Sequence, residues 1–184
     1  MSSECRAWSE GDTILEQYHD NEWCKINHND RYEFEMLILE GASVGLSWKT
    51  IVHKRESYKK AFYDFDIDKC TSMTDAELDS QMNNAGLIRN RNKIYSVRGN
   101  AQVVKKIQEE YGSFDKYLWS FVDGKQVDYK WESPASVPTV SEISKKMSHD
   151  MKKRGIKFMG PTITYSFLQA VGIVNDHLAN CEYR

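Results

Sequence analysis

Lys153-Arg154-Gly155-Ile156-Lys157-Phe158-Met159-Gly160-Pro161-Thr162 reads as two helices joined by a turn held between glycines. Upstream, Thr139-x-x-Glu142 has the form of a capping box, and Ile143, Met147 and Met151 recur at helical spacing. Gly155 is placed to close that helix. Downstream, Pro161 suits a first helical position, with Phe167, Leu168 and Val171 on the following face. A basic helix end, a short turn and a fresh helix N-terminus make a helix-hairpin-helix unit. Unpaired N–H groups at such an N-terminus point outward and attract an anion such as a DNA phosphate. Gly155 and Gly160 let a phosphate approach the backbone closely, and Lys157 and Thr162 stand beside it.

Working outward, the rest of the chain is also helical in pattern. Phe34, Leu37, Ile38 and Gly41 mark an amphipathic helix after Asn29-Asp30. Ser47 caps a second, with Ile51, Tyr58 and Phe62 on one face. Thr74-x-x-Glu77 is a capping box opening a short helix that Gly86 ends. Ile94, Val97, Ala101 and Val104 stripe a longer helix stopped near Gly112, and Leu118, Trp119 and Phe121 follow Ser113 in another. Only 126–131 alternates like a strand, through Val127, Tyr129 and Trp131. One short extended piece cannot make a sheet, so it reads as a loop. The expected fold is all-α, with residues 1–184 as a single helical domain, either one body or two lobes flanking a cleft.

Charge narrows the function classes. Lys and Arg number 25 against 27 Asp and Glu, a net charge of −2, which argues against indiscriminate polyanion binding. Three local basic groups run against that average: Lys145, Lys146, Lys152, Lys153, Arg154 and Lys157; Arg89, Arg91 and Lys93; and Lys49, Lys54, Arg55, Lys59 and Lys60. They suggest a phosphate-facing side. No stretch has the length of apolar sequence that crosses a bilayer. Met-Ser-Ser-Glu-Cys at the start carries no cationic or apolar targeting segment, so a soluble cytoplasmic protein is expected.

The four cysteines (5, 24, 70 and 181) are irregularly spaced, which favours metal binding or free thiols over a disulfide framework. His177-Leu-Ala-Asn-Cys181 spans about one helical turn, and Cys5 with His19 could supply the other half of a tetrahedral zinc site. Closing so long a loop costs about 5 kcal/mol by the chain-entropy formula. Structural zinc returns roughly 10–16 kcal/mol in finger peptides, so a staple between the chain ends is feasible.

A second segment calls for chemistry. Leu39-Glu40-Gly41-Ala42-Ser43-Val44-Gly45-Leu46-Ser47-Trp48 places a carboxylate at the end of an apolar helix, then two glycines, then a Trp. Burying Glu40 is costly unless it is paired or awaits a cationic ligand. Trp8, Tyr18, Trp23 and Trp48 crowd the N-terminal quarter. Aromatic faces sandwich flipped-out nucleobases and attract cations.

Taken together, Tyr18-His19-Asp20-Asn21-Glu22-Trp23, the 39–48 segment, Ala85-Gly86-Leu87-Ile88-Arg89, Leu118-Trp119-Ser120-Phe121-Val122 and Arg154 to Gly160 resemble the DNA-3-methyladenine glycosylase I (Tag) family, from Cys5 to Cys181. The resemblance implies a helix-hairpin-helix DNA glycosylase fold, with one structural zinc on Cys5, His19, His177 and Cys181. The implied activity is hydrolytic removal of 3-methyladenine from alkylated double-stranded DNA, by a monomer with no obligate protein partner. Base recognition falls on Glu40, Tyr18 and Trp48, with Trp8 and Trp23 as further wall. Gly45 and Leu46 fall in the loop that fills the gap in the duplex, with Leu46 as wedge. Glu40, held ionised, would face the exocyclic amine of the lesion, Tyr18 a ring nitrogen, and Trp48 the base plane. Lys157 reads as a phosphate contact rather than a Schiff-base lysine, and no Asp follows the hairpin until Asp176. Departures from the family pattern are Cys24 in place of Gly, one extra residue between Cys5 and Trp8, Leu15 where an aromatic is common, and Ala42-Ser43 where glutamines are common. A binding module without chemistry and an alkyl-base glycosylase of broader range are the competing readings.

Overall fold

Asn29 begins the helix around which the others gather: its side chain accepts from the N–H groups of Arg31 and Tyr32. In the computed structural model, which describes residues 4–184, this helix (α2, Asp30–Ser43) is buried at every position from Glu33 to Ser43. A helix buried all round is the central rod of a helical body rather than a surface element. Before it runs α1 (Thr13–Asn21), and after it α3 (Trp48–Val52), α4 (Arg55–Ala61), α5 (Ile67–Thr71) and α6 (Asp75–Ser80). Then come α7 (Arg91–Tyr111), α8 (Phe114–Trp119), α9 (Glu142–Arg154) and α10 (Pro161–Ala170). Helices α3, α7, α8 and α10 pack on α2, α5 lies along α7, and α9 lies on α10. Their apolar faces join in one large core that includes Phe34, Leu37, Ile51, Val104, Phe114, Met151 and Phe167. A second, small cluster of Cys5, Leu178 and Cys181 lies against Trp23 and Trp131.

The glycine stops fall where expected. Gly112 and Gly155 close α7 and α9 in the left-handed conformation, and Pro161 opens α10. Four local readings need correction. Residues 48–62 form two helices, α3 and α4, with His53 and Lys54 between them. Helix α9 is capped by Ser141, not Thr139: Ser141 and Ser144 exchange side-chain and backbone hydrogen bonds in a Ser-Ser box. Helix α6 stops at Ser80 and passes into a 3-10 turn, Gln81–Asn83, well before Gly86.

The alternating 126–131 stretch is not wholly loop. Val127–Asp128 (β1) pairs in parallel with Val174–Asn175 (β2). The partner lies far downstream and is only two residues long, so no local pattern announces it. This pair carries the chain into Asp176 and His177. Just before it, Gly172 turns at φ +75°, and a Cβ there would lie 2.2 Å from the Lys25 carbonyl oxygen. Gly172→Ala is expected to cost about 3 kcal/mol or more, from the clash and the left-handed backbone together. Thermal unfolding reads this directly; a loss below about 1 kcal/mol would mean that the Lys25 segment yields freely.

Candidate active site

Four helices, the loop after α2 and two tryptophans outside the helices converge on a cavity of about 630 Å³. Helix α1, capped by Asp12 through the Ile14 and Leu15 N–H groups, turns Tyr18 toward it. The last turn of α2 supplies Glu40 and Ser43, the loop after it Gly45, Leu46 and Ser47, and the start of α3 Trp48. Trp8 and Trp23 complete the aromatic wall, so all five residues expected in the base pocket are brought together. The Tyr18 and Trp48 rings lie 5.3 Å apart, Trp8 and Tyr18 6.4 Å, and Trp8 and Trp23 5.5 Å. Trp8 and Leu46 are each 44% exposed, which places them at the mouth.

Helix α10 adds a wall that the sequence reading passes over. Ile163, Ser166 and Gln169 line the cavity at a spacing of three, one stripe of a helix whose Thr164, Tyr165, Phe167, Leu168 and Ala170 are buried. That spacing after Pro161 was the available signal. Asp12 fixes the opposite side: its carboxylate meets Lys49 Nζ at 2.9 Å and His53 Nε2 at 2.8 Å, tying α1 to α3 and so Tyr18 to Trp48. Those two partners hold Asp12 well below the usual carboxylate range.

Glu40 is only 4% exposed, and its carboxyl makes no hydrogen bond and no ion pair with the described residues. Burial alone pushes it up to about 8. Burial thus favours the protonated form of the free carboxyl, where the sequence reading expects an ionised one. Tyr18 is pushed well above the ordinary phenol value, first by burial and then by the acidic groups of Tyr32 and Glu40, so it stays a neutral hydroxyl. The Trp48 indole N–H is buried without a partner among the described residues. Asp176 is not available to activate water. It accepts from Trp131 Nε1 at 2.7 Å, Tyr165 OH at 2.6 Å and Gln169 Nε2 at 2.7 Å, and is 1% exposed.

Beside the cavity, Cys5, His19, His177 and Cys181 are all buried, with their ligand atoms within 4.8 Å of one another. The arrangement suits a tetrahedral metal. His19 Nδ1 engages Asp20 at 2.8 Å and turns Nε2 toward Cys5 Sγ, 3.5 Å away. His177 Nε2 engages the Trp23 carbonyl at 2.9 Å and turns Nδ1 toward Cys181 Sγ, 3.3 Å away. Each imidazole thus spends its outer nitrogen on an acceptor and offers the inner one, as metal-bound histidines do. Burial, then His19, lowers His177 to about 4, which keeps it in the neutral form that binds metal. Cys24 stands apart: its sulfur accepts from the Asp176 N–H at 3.3 Å, and its φ of +62° is a conformation glycine takes more readily.

The hairpin forms a second concavity of about 760 Å³ that includes Asn92, Lys152, Gly155, Lys157 and Gly160. Gly155, Lys157, Gly160 and Thr162 are exposed, so Lys157 lies on this outer groove and not in the aromatic cavity. The hairpin closes on α2 next to Glu40: a Cβ on Gly41 would stand 3.3 Å from Phe158 Cβ. Several cations expected on a phosphate-facing side are engaged elsewhere. Arg154 binds Glu110 and Asp150, Arg55 binds Glu22 and Glu35, and Lys93 binds backbone carbonyls.

Residues 8–184 match the methyladenine glycosylase family. The DNA-3-methyladenine glycosylase of Haemophilus influenzae is 40% identical over 98% of this chain and 97% of its own length. DNA-3-methyladenine glycosylase 1 of Escherichia coli K12 is 38% identical over 95% of this chain and 93% of its own. A solved 3-methyladenine DNA glycosylase I from Staphylococcus aureus, described for its recognition of 3-methyladenine, superposes with a TM-score of 0.95 at 38% identity, covering 98% of this chain and 95% of that one. With a family match over residues 8–184 and relatives about 40% identical along nearly the whole length, the chain belongs to the methyladenine glycosylase family.

Proposed function

We propose that this protein is a monofunctional DNA glycosylase of base-excision repair, hydrolysing the N-glycosidic bond of 3-methyladenine in alkylated double-stranded DNA to leave an abasic site. One observation carries the reading: a carboxyl buried in an aromatic cavity with no cation among the described residues to meet it. 3-Methyladenine is positively charged while attached to deoxyribose, so it brings the missing cation. Hairpin residues Gly155, Lys157, Gly160 and Thr162 hold the backbone through phosphate oxygens. Gly45 and Leu46 occupy the gap as the damaged base leaves the stack, which costs less for a lesion than for a paired base.

Inside the cavity, Trp48 stacks on the base, Trp8 and Trp23 close the wall, and the neutral Tyr18 hydroxyl donates to a ring nitrogen. Glu40 gives its proton to solvent as the cation enters, then accepts from the exocyclic amine. The glycosidic electron pair passes to the departing base, which becomes neutral; water supplies hydroxyl to the sugar and a proton to solvent. Because the base carries its own positive charge, no protein acid or base is needed at the leaving group or the water. A neutral adenine does not gain the charge term, so selectivity is a difference of affinities. Zinc held by Cys5, His19, His177 and Cys181 would act as a structural staple, locking α1 and with it Tyr18 to the C-terminal segment. The protein would act as a monomer in the cytoplasm; no described helix is long and apolar enough to cross a membrane.

Release of free 3-methyladenine from methylated duplex, with adenine release as control, tests the activity. Glu40→Gln should lower excision by roughly 10²-fold or more while duplex binding persists; an unaltered rate rejects the role. The carboxylate is the active form, so kcat/KM should climb with pH and level off near the free-protein value of about 8. For kcat the same limb should lie lower, because the bound cation favours ionisation. Stability has the opposite sense. The folded value lies above the ordinary 4.5, so this group's stabilising contribution is complete below 4.5 and is lost as pH rises toward 8. Wild type should therefore fall behind Glu40→Gln in melting temperature across that window, and a constant difference would contradict the assigned burial. For the staple, metal analysis should find zinc in wild type and none in Cys181→Ser or His177→Ala, with melting lowered by roughly 10 °C or more. Equal melting with and without zinc would remove the structural role.

A further inference from the structure

Excision as proposed above requires the gap-filling loop and the phosphate-holding hairpin to meet one lesion together, and a single helix is bonded to both. Lys93, in the first turn of α7, donates from Nζ to the Ala42 carbonyl oxygen at 3.0 Å and to the Val44 carbonyl oxygen at 2.7 Å. Those carbonyls end α2, whose last turn holds no basic residue of its own, and lead directly into Gly45 and Leu46. An ammonium there serves acceptors that the helix leaves open and meets the negative end of its dipole. Farther along α7, Asn100 is 2% exposed and brackets the hairpin. Its Nδ2 donates to the Lys157 carbonyl at 3.2 Å, and its Oδ1 accepts from the Lys157 N–H at 2.9 Å. Residues 93 and 100 lie about 10.5 Å apart along a helix axis.

We infer that Lys93 is a positioning residue for lesion capture: it pins the 44–46 loop to α7 at a set distance from the hairpin that Asn100 holds. The inference rests on the glycosylase reading. Lys93 belongs to the basic group expected to face phosphate, but its ammonium is committed to backbone oxygens, and burial lowers its pKa. Its neighbour Arg91 is likewise committed, to Asp79. A rigid α7 then transmits one spacing to both DNA-contacting loops, while Glu40, one turn before Val44, keeps its place in the cavity wall.

The full-length protein carrying Lys93→Met or Lys93→Arg provides the test. Four quantities are read: single-turnover release of 3-methyladenine from duplex, affinity for a duplex with a tetrahydrofuran abasic analogue opposite 2-aminopurine, quenching of tryptophan fluorescence by free 3-methyladenine, and the salt dependence of duplex binding. Lys93→Met should lower excision and abasic-duplex affinity by roughly tenfold or more, the scale of hydrogen bonds to a charged group, and suppress the 2-aminopurine signal. Free-base quenching and the salt slope should match wild type. Lys93→Arg, which can donate to two carbonyls, should recover most of the loss. Wild-type excision by both variants overturns the inference. So does parallel loss of free-base quenching, which would make Lys93 a support of the pocket, and so does a salt slope reduced by about 0.9, which would make it a phosphate contact. Wild-type base release in the same series decides the glycosylase reading separately.

Discussion

A carboxyl group without a counter-charge, closed into an apolar wall at the end of α2, is the constraint on which the site depends. The rise of Glu40 from 4.5 to about 8 corresponds to roughly 5 kcal/mol against its ionised form. A unit positive charge about 4 Å away returns about 4 kcal/mol at an effective dielectric of 20. Hydrogen bonds to the charged oxygen add about 1.5–3 kcal/mol each. A cationic purine therefore balances the cost of ionising Glu40, and a neutral one does not. The burial that makes the empty pocket costly to charge is the same burial that makes it discriminate.

The rest of the molecule keeps that carboxyl where it is. Helix α2 can bury so many residues because α3, α7, α8 and α10 surround it, and Gly41 lets the hairpin close to within a Cβ contact of it. Across the cavity, Tyr18 and His19 are consecutive on α1 and serve opposite neighbours, the ring wall and the Cys/His group. A metal held at His19 would thus fix Tyr18 directly. Asp12 adds a second hold on α1 through Lys49 on α3 and His53 just after it. The cavity is enclosed by elements distant in sequence, and its shape depends on those ties more than on local stiffness.

Much of this was legible beforehand, because the deciding signals are local. Gly155, Gly160 and Pro161 announce the hairpin by backbone chemistry alone. The acidic residue at the end of an apolar helix, followed by glycines and Trp48, announces the pocket. What stayed hidden depends on tertiary pairing. The strand partner of Val127 lies near residue 174, and Ile163, Ser166 and Gln169 look like ordinary members of a core helix until α1 and α2 are set opposite them. The basic groups misled for the same reason. Charge along the chain does not reveal that Arg154 is held by Glu110 and Asp150, or that Lys93 is folded onto carbonyls.

Asp176 bears most directly on mechanism. It is the first aspartate after the hairpin, and three donors occupy it in a nearly closed environment. A water-activating base needs a free lone pair within reach of water, and this carboxylate instead braces Trp131, Tyr165 and Gln169. Through Gln169 it orients one wall of the cavity, and through the chain it leads into His177. The reaction can leave water unactivated because the leaving group is already charged: a base that departs as a neutral molecule requires little help from the nucleophile. On the proposed reading such a cavity favours lesions carrying positive charge on the purine, since a normal base would lack both the attraction to Glu40 and the weakened bond.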